Sequence, residues 1–216
     1  MAVTGDAGGR PSAAQIRGHL RAKVNDALRR PGMYGGEMAL HLLLDALAFA
    51  EGRHEEWRRA NDGLRERGRF TSVGVRGVFL PVLPKAVNHD DAVSSVYAEL
   101  AHRLGWLETD RLLTAEEYDD LTATLPGWVA EDRGLTDVLA RFGRPSIRLG
   151  GGNPRFPYTL LYVAAGSDQV VSFHLWGDWA EPLADEPTLL AARRGDLAFT
   201  TGLHATPEGA RRRPTE

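Results

Sequence analysis

The sequence predicts an α+β domain, an N-terminal helical half packed on a C-terminal, mainly antiparallel sheet. Three observations predict it. Apolar residues recur at helical spacing through residues 12–143. From 144 to 204 they fall instead into short runs separated by turn residues. The helices precede the strands rather than alternating with them, which separates α+β from α/β.

The chain has 216 residues, 43% hydrophobic and 25% charged, the composition of an ordinary globular domain long enough for a core of its own. Residues 1–11 are small and polar, and disorder is expected there. Residues 12–204 form the single domain, and 205–216, with Arg211-Arg212-Arg213, read as a disordered tail. There is no cysteine, which excludes a disulfide scaffold, a zinc-thiolate site and a cysteine nucleophile. No apolar run reaches the length of about 18 residues that a membrane span needs. The start, MAVTGDAGGRPSAA, lacks the basic and apolar regions of a secretory signal, so the cytoplasm is the expected location.

Ser12 with Gln15 reads as a capping box, opening a helix that carries Ile16, Leu20, Val24, Ala27 and Leu28 and stops at Pro31-Gly32. Glu37–Glu51 is apolar nearly all round, the mark of a central, buried helix. The charged stretch 51–69 reads as a solvated helix face with a Glu55–Arg59 pair. Residues 71–83 have strand composition, weakened by Gly74, Gly77 and Pro81 to the point that a loop competes. Val93, Val96, Tyr97, Leu100 and Leu104 form a helical stripe closed by Gly105. Thr114 with Glu117 caps another helix, expected to end at Pro126, and Leu135–Phe142 is the last, with Gly143 beyond its end. Strands are expected at Ser146–Leu149, Tyr158–Ala164, Gln169–Trp176, Leu189–Arg193 and Leu197–Thr201, with Gly166-Ser167-Asp168 as a hairpin loop.

The net charge of −3 hides a segregation. Residues 1–89 carry +5, residues 90–137 carry −9 and residues 138–216 carry +1. The acidic block coincides with the middle helices and is expected on their outer faces. It either packs against the basic segments or steers a basic protein partner to helices 90–137. Of 26 basic residues, 24 are Arg, but they are interleaved with acids: residues 51–69 hold six Arg and five acids. A nucleic-acid surface is therefore not expected.

Arg30-Pro31-Gly32-Met33-Tyr34-Gly35 is the most distinctive string. As a turn it has a physical logic: Pro fixes φ, Gly permits a left-handed residue, and Met33 and Tyr34 serve as anchors. It resembles the RPGMYIG segment of the ATPase subunits of gyrase-type topoisomerases, which also lies between a short and a longer helix. That family's next helix supplies a Glu base and a metal-binding Asn. Here Asp45 is the nearest acid, with no matching Asn and no Asp-x-Gly-x-Gly loop. The resemblance covers six residues and implies at most a degenerate nucleotide binder built on the 30–36 turn. The same string is similar to that of small bacterial proteins with an RPGMY turn, some of them immunity-like, a likeness that assigns no chemistry.

Gly150-Gly151-Gly152-Asn153-Pro154 lacks the Lys and the following helix of a phosphate loop. It reads as a tight connector, with Gly151 and Asn153 as candidate ligand contacts. In His174-Leu175-Trp176-Gly177-Asp178-Trp179, His174 and Trp176 project to one face of a strand. Asp178 is placed to orient the imidazole, and Trp176 and Trp179 are candidate anchors for a partner. The competing reading is a sheet face packed on the helices, with a satisfied histidine. Glu116, Glu117, Asp119 and Asp120 suit the start of a helix. No metal site, cofactor or serine nucleophile is indicated. The expected function is a non-enzymatic protein-binding module, immunity-like or regulatory. The alternative is an enzyme with His174 and Asp178 as an acid/base pair.

Overall fold

The computed structural model describes residues 10–84, 89–151, 153, 156–166, 169–177 and 186–215. Asp178, Trp179, Gly152 and the Ser167-Asp168 part of the hairpin loop lie outside the described residues.

The chain is α+β, with helices in the N-terminal half and a five-stranded antiparallel sheet in the C-terminal half. The helices are α1 (Ala13–Arg29), α2 (Pro31–Tyr34), α3 (Gly36–Ala50), α4 (His54–Glu66), α5 (Arg76–Phe79), α6 (Asp90–Arg103), α7 (Ala115–Trp128) and α8 (Leu135–Phe142). The sheet follows as β1 (Ile147–Leu149), β2 (Tyr158–Val163), β3 (Val170–Trp176) and β4 (Thr188–Arg194). One turn of helix, α9 (Phe199–Gly202), then β5 (Leu203–Ala205) and α10 (Pro207–Arg211) complete it. Strand order follows chain order.

Both capping boxes form: Gln15 N donates to Ser12 Oγ, and Glu117 N donates to Thr114 Oγ1. α7 runs two residues past Pro126 instead of ending there. Residues 71–83 form no strand; Thr71 and Gly74 bridge in a tight turn and Arg76–Phe79 make one helical turn. Glu37 imposes this, its carboxylate accepting from the backbone N–H groups of Val75 and Arg76. Leu197–Thr201 is likewise not a strand, since Phe199–Gly202 is helical, and β5 takes the sheet edge. The expected tail instead holds α10, capped by Thr206 and tied to the helical half by Arg211–Asp132.

Period-two alternation gives the sheet two apolar faces, and both are covered. Leu161, Val163, Val170 and Trp176 join the core of α1, α3, α4 and α6, whereas Tyr158, Leu160, Tyr162, Val171, Phe173 and Leu175 pack with α7 and α8. The helical half therefore splits across the sheet. α6 lies at the centre, buried continuously from Asp91 to Ala101. α3 buries only one side, through Leu40, Leu44 and Leu47, and exposes Met38, Leu42 and Phe49, contrary to its expected full burial.

The acidic middle segment is paired largely within the chain. Asp110 meets Arg29, Glu117 meets Arg111, Asp120 meets Arg141, and Asp132 meets Arg211. Two of its acids, Asp91 and Glu99, are buried rather than on outer faces. Glu55 pairs with Arg58, and Arg59 bonds the Glu55 carbonyl instead of its carboxylate. Among the described residues no helix is long and apolar enough to cross a membrane.

Candidate functional site

The candidate site begins at the RPGMY turn. Pro31 starts α2, as its fixed φ allows at a first helical position. Gly35 (φ +102°) and Gly36 (φ +65°) then turn the chain into α3 through left-handed backbone. An ideal Cβ at Gly36 would lie 2.9 Å from Asp90 Oδ1, while one at Gly32 would meet Asp90 Oδ2 at 3.6 Å. The two glycines thus let the Asp90 carboxylate settle against the turn. Gly36→Ala is expected to cost about 1–2 kcal/mol through its left-handed backbone, and Gly32→Ala to cost well under half of that. Urea unfolding of the two variants checks the contrast.

A second glycine brings the sheet to the same place. Gly150 (φ +91°) follows β1, and its N–H donates to the Arg29 carbonyl at 3.0 Å. The connector before β2 is thereby held against the end of α1. The result is an open cleft of about 650 Å³ lined by Arg30, Pro31, Gly32 and Met33, by Asp90 and Asp91, and by Gly150, Gly151, Phe156 and Pro157. Three segments distant in sequence meet there. Met33 (77% exposed) and Phe156 (56% exposed) leave large apolar surface beside the acidic floor. The volume is within the range of small-ligand or side-chain pockets.

Behind Asp91 lies a smaller pocket of about 20 Å³, room for one water molecule, bordered by Leu83, His89, Asp91, Pro157, His174, Trp176 and Leu190. Asp91 and Pro157 belong to both spaces. Inside, a polar stripe crosses the sheet face turned to the helices. Register places Thr159 opposite His174, and alternation places Ser172 two residues away on the same side. Thr159 Oγ1 donates to Asp91 Oδ2 at 2.9 Å and lies 2.9 Å from His174 Nδ1; Ser172 Oγ lies 3.4 Å from His174 Nε2. A β-bulge between β3 and β4 falls between His174 and Leu175. In the register Leu190 is skipped, and its side chain joins the pocket wall.

Burial sets the protonation states. His174 is 2% exposed, and desolvation, with Arg193 and His89 nearby, pushes its pKa down to about 3. His89 is pushed down to about 4, again mainly by burial. Asp91 is 6% exposed, and desolvation raises its carboxyl to about 7, against the opposing bond from Thr159. Of the three, only Asp91 changes charge near neutrality.

The residues singled out from sequence separate here. Met33 and Gly151 line the cleft. Tyr34 anchors the turn, its hydroxyl donating to Asp26 at 3.3 Å and its ring packing against the helical core. Asn153 is exposed, outside the cleft wall, and its carbonyl accepts from Phe156 N. Trp176 is no exposed anchor: it is 6% exposed, built into the core, with the Arg212 guanidinium 4.4 Å above its ring. His174 does project to the same face, but that face is packed on helices, and Phe79 meets the imidazole edge-on at 5.4 Å. Its ring nitrogens face Thr159 and Ser172, so it is a satisfied interior histidine rather than an exposed acid/base group.

Asp91, Thr159, Ser172 and His89 escaped sequence reasoning. Asp91 fitted the acidic first turn that any helix favours, and Thr159 and Ser172 were polar residues in otherwise apolar strand runs. That interruption was the available signal, because a buried strand hydroxyl needs a partner. Among the described residues no group of three or more His, Cys, Asp or Glu is arranged to hold a metal ion. No protein-family model, curated protein or solved structure matches this chain.

Proposed function

We propose that this chain is a non-enzymatic protein-binding module whose recognition site is the cleft between the RPGMY turn and the Gly150-Gly151 connector. The observation that carries the reading is the convergence of Arg30–Met33, Asp90–Asp91, and Gly150, Gly151, Phe156 and Pro157 on one open space with an acidic floor and apolar flanks. Such a space suits a basic side chain of a partner: the carboxylates meet its charge, and Met33 and Phe156 cover its hydrocarbon stem. The sequence placed a basic partner along helices 90–137. The cleft takes from that segment its first turn, Asp90 and Asp91, which line it.

A random-peptide display selection on the full chain tests this. Enriched peptides are expected to carry Arg or Lys next to an apolar residue and to lose binding to Gly151→Trp. Gly151 lines the cleft, and among the described residues an ideal Cβ there meets nothing closer than Asn153 N at 3.9 Å, so the rim has room for a bulky side chain. Selected peptides that bind Gly151→Trp as well as the parent would sink the proposal.

One observation favours a second reading, an acid–base enzyme: a carboxyl with a near-neutral pKa borders an open cleft. That role would belong to Asp91 and not to His174, and turnover abolished by Asp91→Asn would mark it.

A further inference from the structure

We infer that Asp91 is the point of proton exchange of the cleft: a cationic group seated there drives Asp91 into its charged form, and the Thr159 hydroxyl passes the change to His174 as a switch of imidazole tautomer. The inference rests on the cleft being the binding site and adds how its occupation is felt inside the fold.

The geometry carries it. Thr159 has one hydroxyl proton and stands 2.9 Å from both Asp91 Oδ2 and His174 Nδ1. With Asp91 ionised, that proton must point to the carboxylate, which accepts only. Thr159 Oγ1 then accepts from His174 Nδ1–H, and His174 Nε2 accepts from the Ser172 hydroxyl. With Asp91 protonated the direction reverses: Asp91 O–H donates to Thr159, Thr159 donates to a bare Nδ1, and Nε2–H donates to Ser172. Ser172 can then turn to the Arg193 carbonyl, 3.5 Å away. The chain holds four mobile protons in the second state and three in the first. On ionisation Asp91 gives its proton to the cleft, the Thr159 O–H turns from Nδ1 to the carboxylate, and the imidazole gives up its Nε2 proton and takes one back at Nδ1 by exchange with solvent, so the two states differ by the one proton released. His174 stays neutral in both, in keeping with its depressed pKa.

Among the described residues, the charged groups that face this chain of hydrogen bonds come from α5, α6 and β4 and from the junctions beside the helices. Asp90 lies beside Asp91 on α6 and opposes its ionisation. Arg30 borders the cleft from the α1–α2 junction, and His89 borders the inner pocket. Arg193 on β4 faces His174, and Arg76 on α5 acts on His89. The described cleft residues of the β1–β2 connector, Gly150, Gly151, Phe156 and Pro157, carry no charge. A cation at Asp91 therefore acts on a carboxyl that Asp90 flanks and whose cleft Arg30 shares, and among the described residues Thr159 bridges that carboxyl to His174.

Ring-nitrogen NMR of His174 in the full chain, assigned against His174→Gln, tests the proposal from acid to alkaline pH, with and without agmatine as a soluble stand-in for an arginine side chain. The expected result is an Nε2–H tautomer at acid pH giving way to Nδ1–H near neutrality, with the midpoint moved about one unit towards acid by agmatine. The transition should vanish in Asp91→Asn, which keeps the site's shape. A single tautomer at every pH in the parent chain overturns the relay. A transition that agmatine leaves in place overturns the link to a cation. The agmatine-free arm uses no ligand, so it reports on the relay even if display selection yields no peptide.

Discussion

Glu99→Gln is expected to destabilise the fold by about 3–5 kcal/mol, the cost of breaking a buried ion pair from one side. Glu99 is fully buried on α6. Its Oε1 lies 2.5 Å from Arg69 Nη1, and its Oε2 lies 3.1 Å from Arg193 Nη1. Both guanidiniums are buried as well. Arg69 also donates to the carbonyls of Gly195 and Leu197, and Arg193 donates to Ser95 Oγ. The cluster thus ties α6 to the chain after α4 and to β4. Glutamine keeps the shape and removes the charge, leaving two cations in the interior. Arg67 and Arg103, near the same carboxylate at 3.9 and 3.7 Å, lose their attraction too. A fall in Tm of roughly 6–20 °C should accompany the loss. A triple replacement of Arg69, Glu99 and Arg193 by apolar residues of similar volume should restore most of the stability, because it removes the stranded charges together. Urea unfolding of both variants decides it: a loss below about 1 kcal/mol for Glu99→Gln would mean that the guanidiniums find other compensation.

The second large effect is in the pH dependence of stability. An unfolded chain protonates its histidines below about pH 6.5. Burial pushes His174 down to about 3 and His89 to about 4. Stability from these two groups is therefore present above pH 6.5 and lost as pH falls towards those values. Asp91 acts in the opposite sense. Its carboxyl titrates near 3.8 when free in water and near 7 in the fold. Its contribution is complete below about 4 and fades as pH rises through 7, since above that the fold must bury a charge. Between about pH 4 and 6.5 the Asp91 proton partly offsets the two histidines. Asp91→Asn should remove the offset and steepen the acid limb by about one proton, about 1.4 kcal/mol per pH unit. The same variant should be more stable than the parent above neutrality. His174→Gln should flatten the limb by about the same amount. Unfolding free energies of the three proteins from about pH 4 to about pH 8 provide the check; parallel curves would show that neither group titrates as its burial requires.

Local signals carried much of the fold. Ser12 with Gln15 and Thr114 with Glu117 marked helix starts because a capping box is made within four consecutive residues. The first four strands were legible from short apolar runs bounded by turns. The failures were decided from outside the segment. Residues 71–83 had strand composition, yet the Glu37 carboxylate, 38 positions from Val75, captures their backbone N–H groups. α7 passes Pro126 because its end is set by packing on the second sheet face, where Leu125 and Val129 are both buried. Composition pointed to an α3 buried all round, but only its Leu40, Leu44 and Leu47 side finds a partner layer.

The candidate site was legible in pieces. Met33, Gly151 and His174 were each marked by residue type, and they fall on the cleft or on the network behind it. Their union was not legible, because Arg30, Asp91, Gly150 and Thr159 meet only when β1 and its connector dock on the end of α1. The weight given to Trp176 came from the habit of tryptophan at interfaces, and burial overrode it.

The sequence by itself determined the class of fold, the helix starts, the alternation that puts Ser172 and His174 on one side of β3, and the three-part segregation of charge. All of these depend on neighbours within a few residues or on counting. Only the tertiary structure decided what the charges do. Chain folding pairs Glu99, Asp110, Asp120 and Asp132 of the acidic block with arginines from both flanks, encloses Glu99 between two of them, and leaves Asp91 at the wall between an open cleft and the packed interior. Desolvation is a property of that surrounding volume and not of the residue, so burial brings to near neutrality a carboxyl, Asp91, that looked ordinary in the sequence.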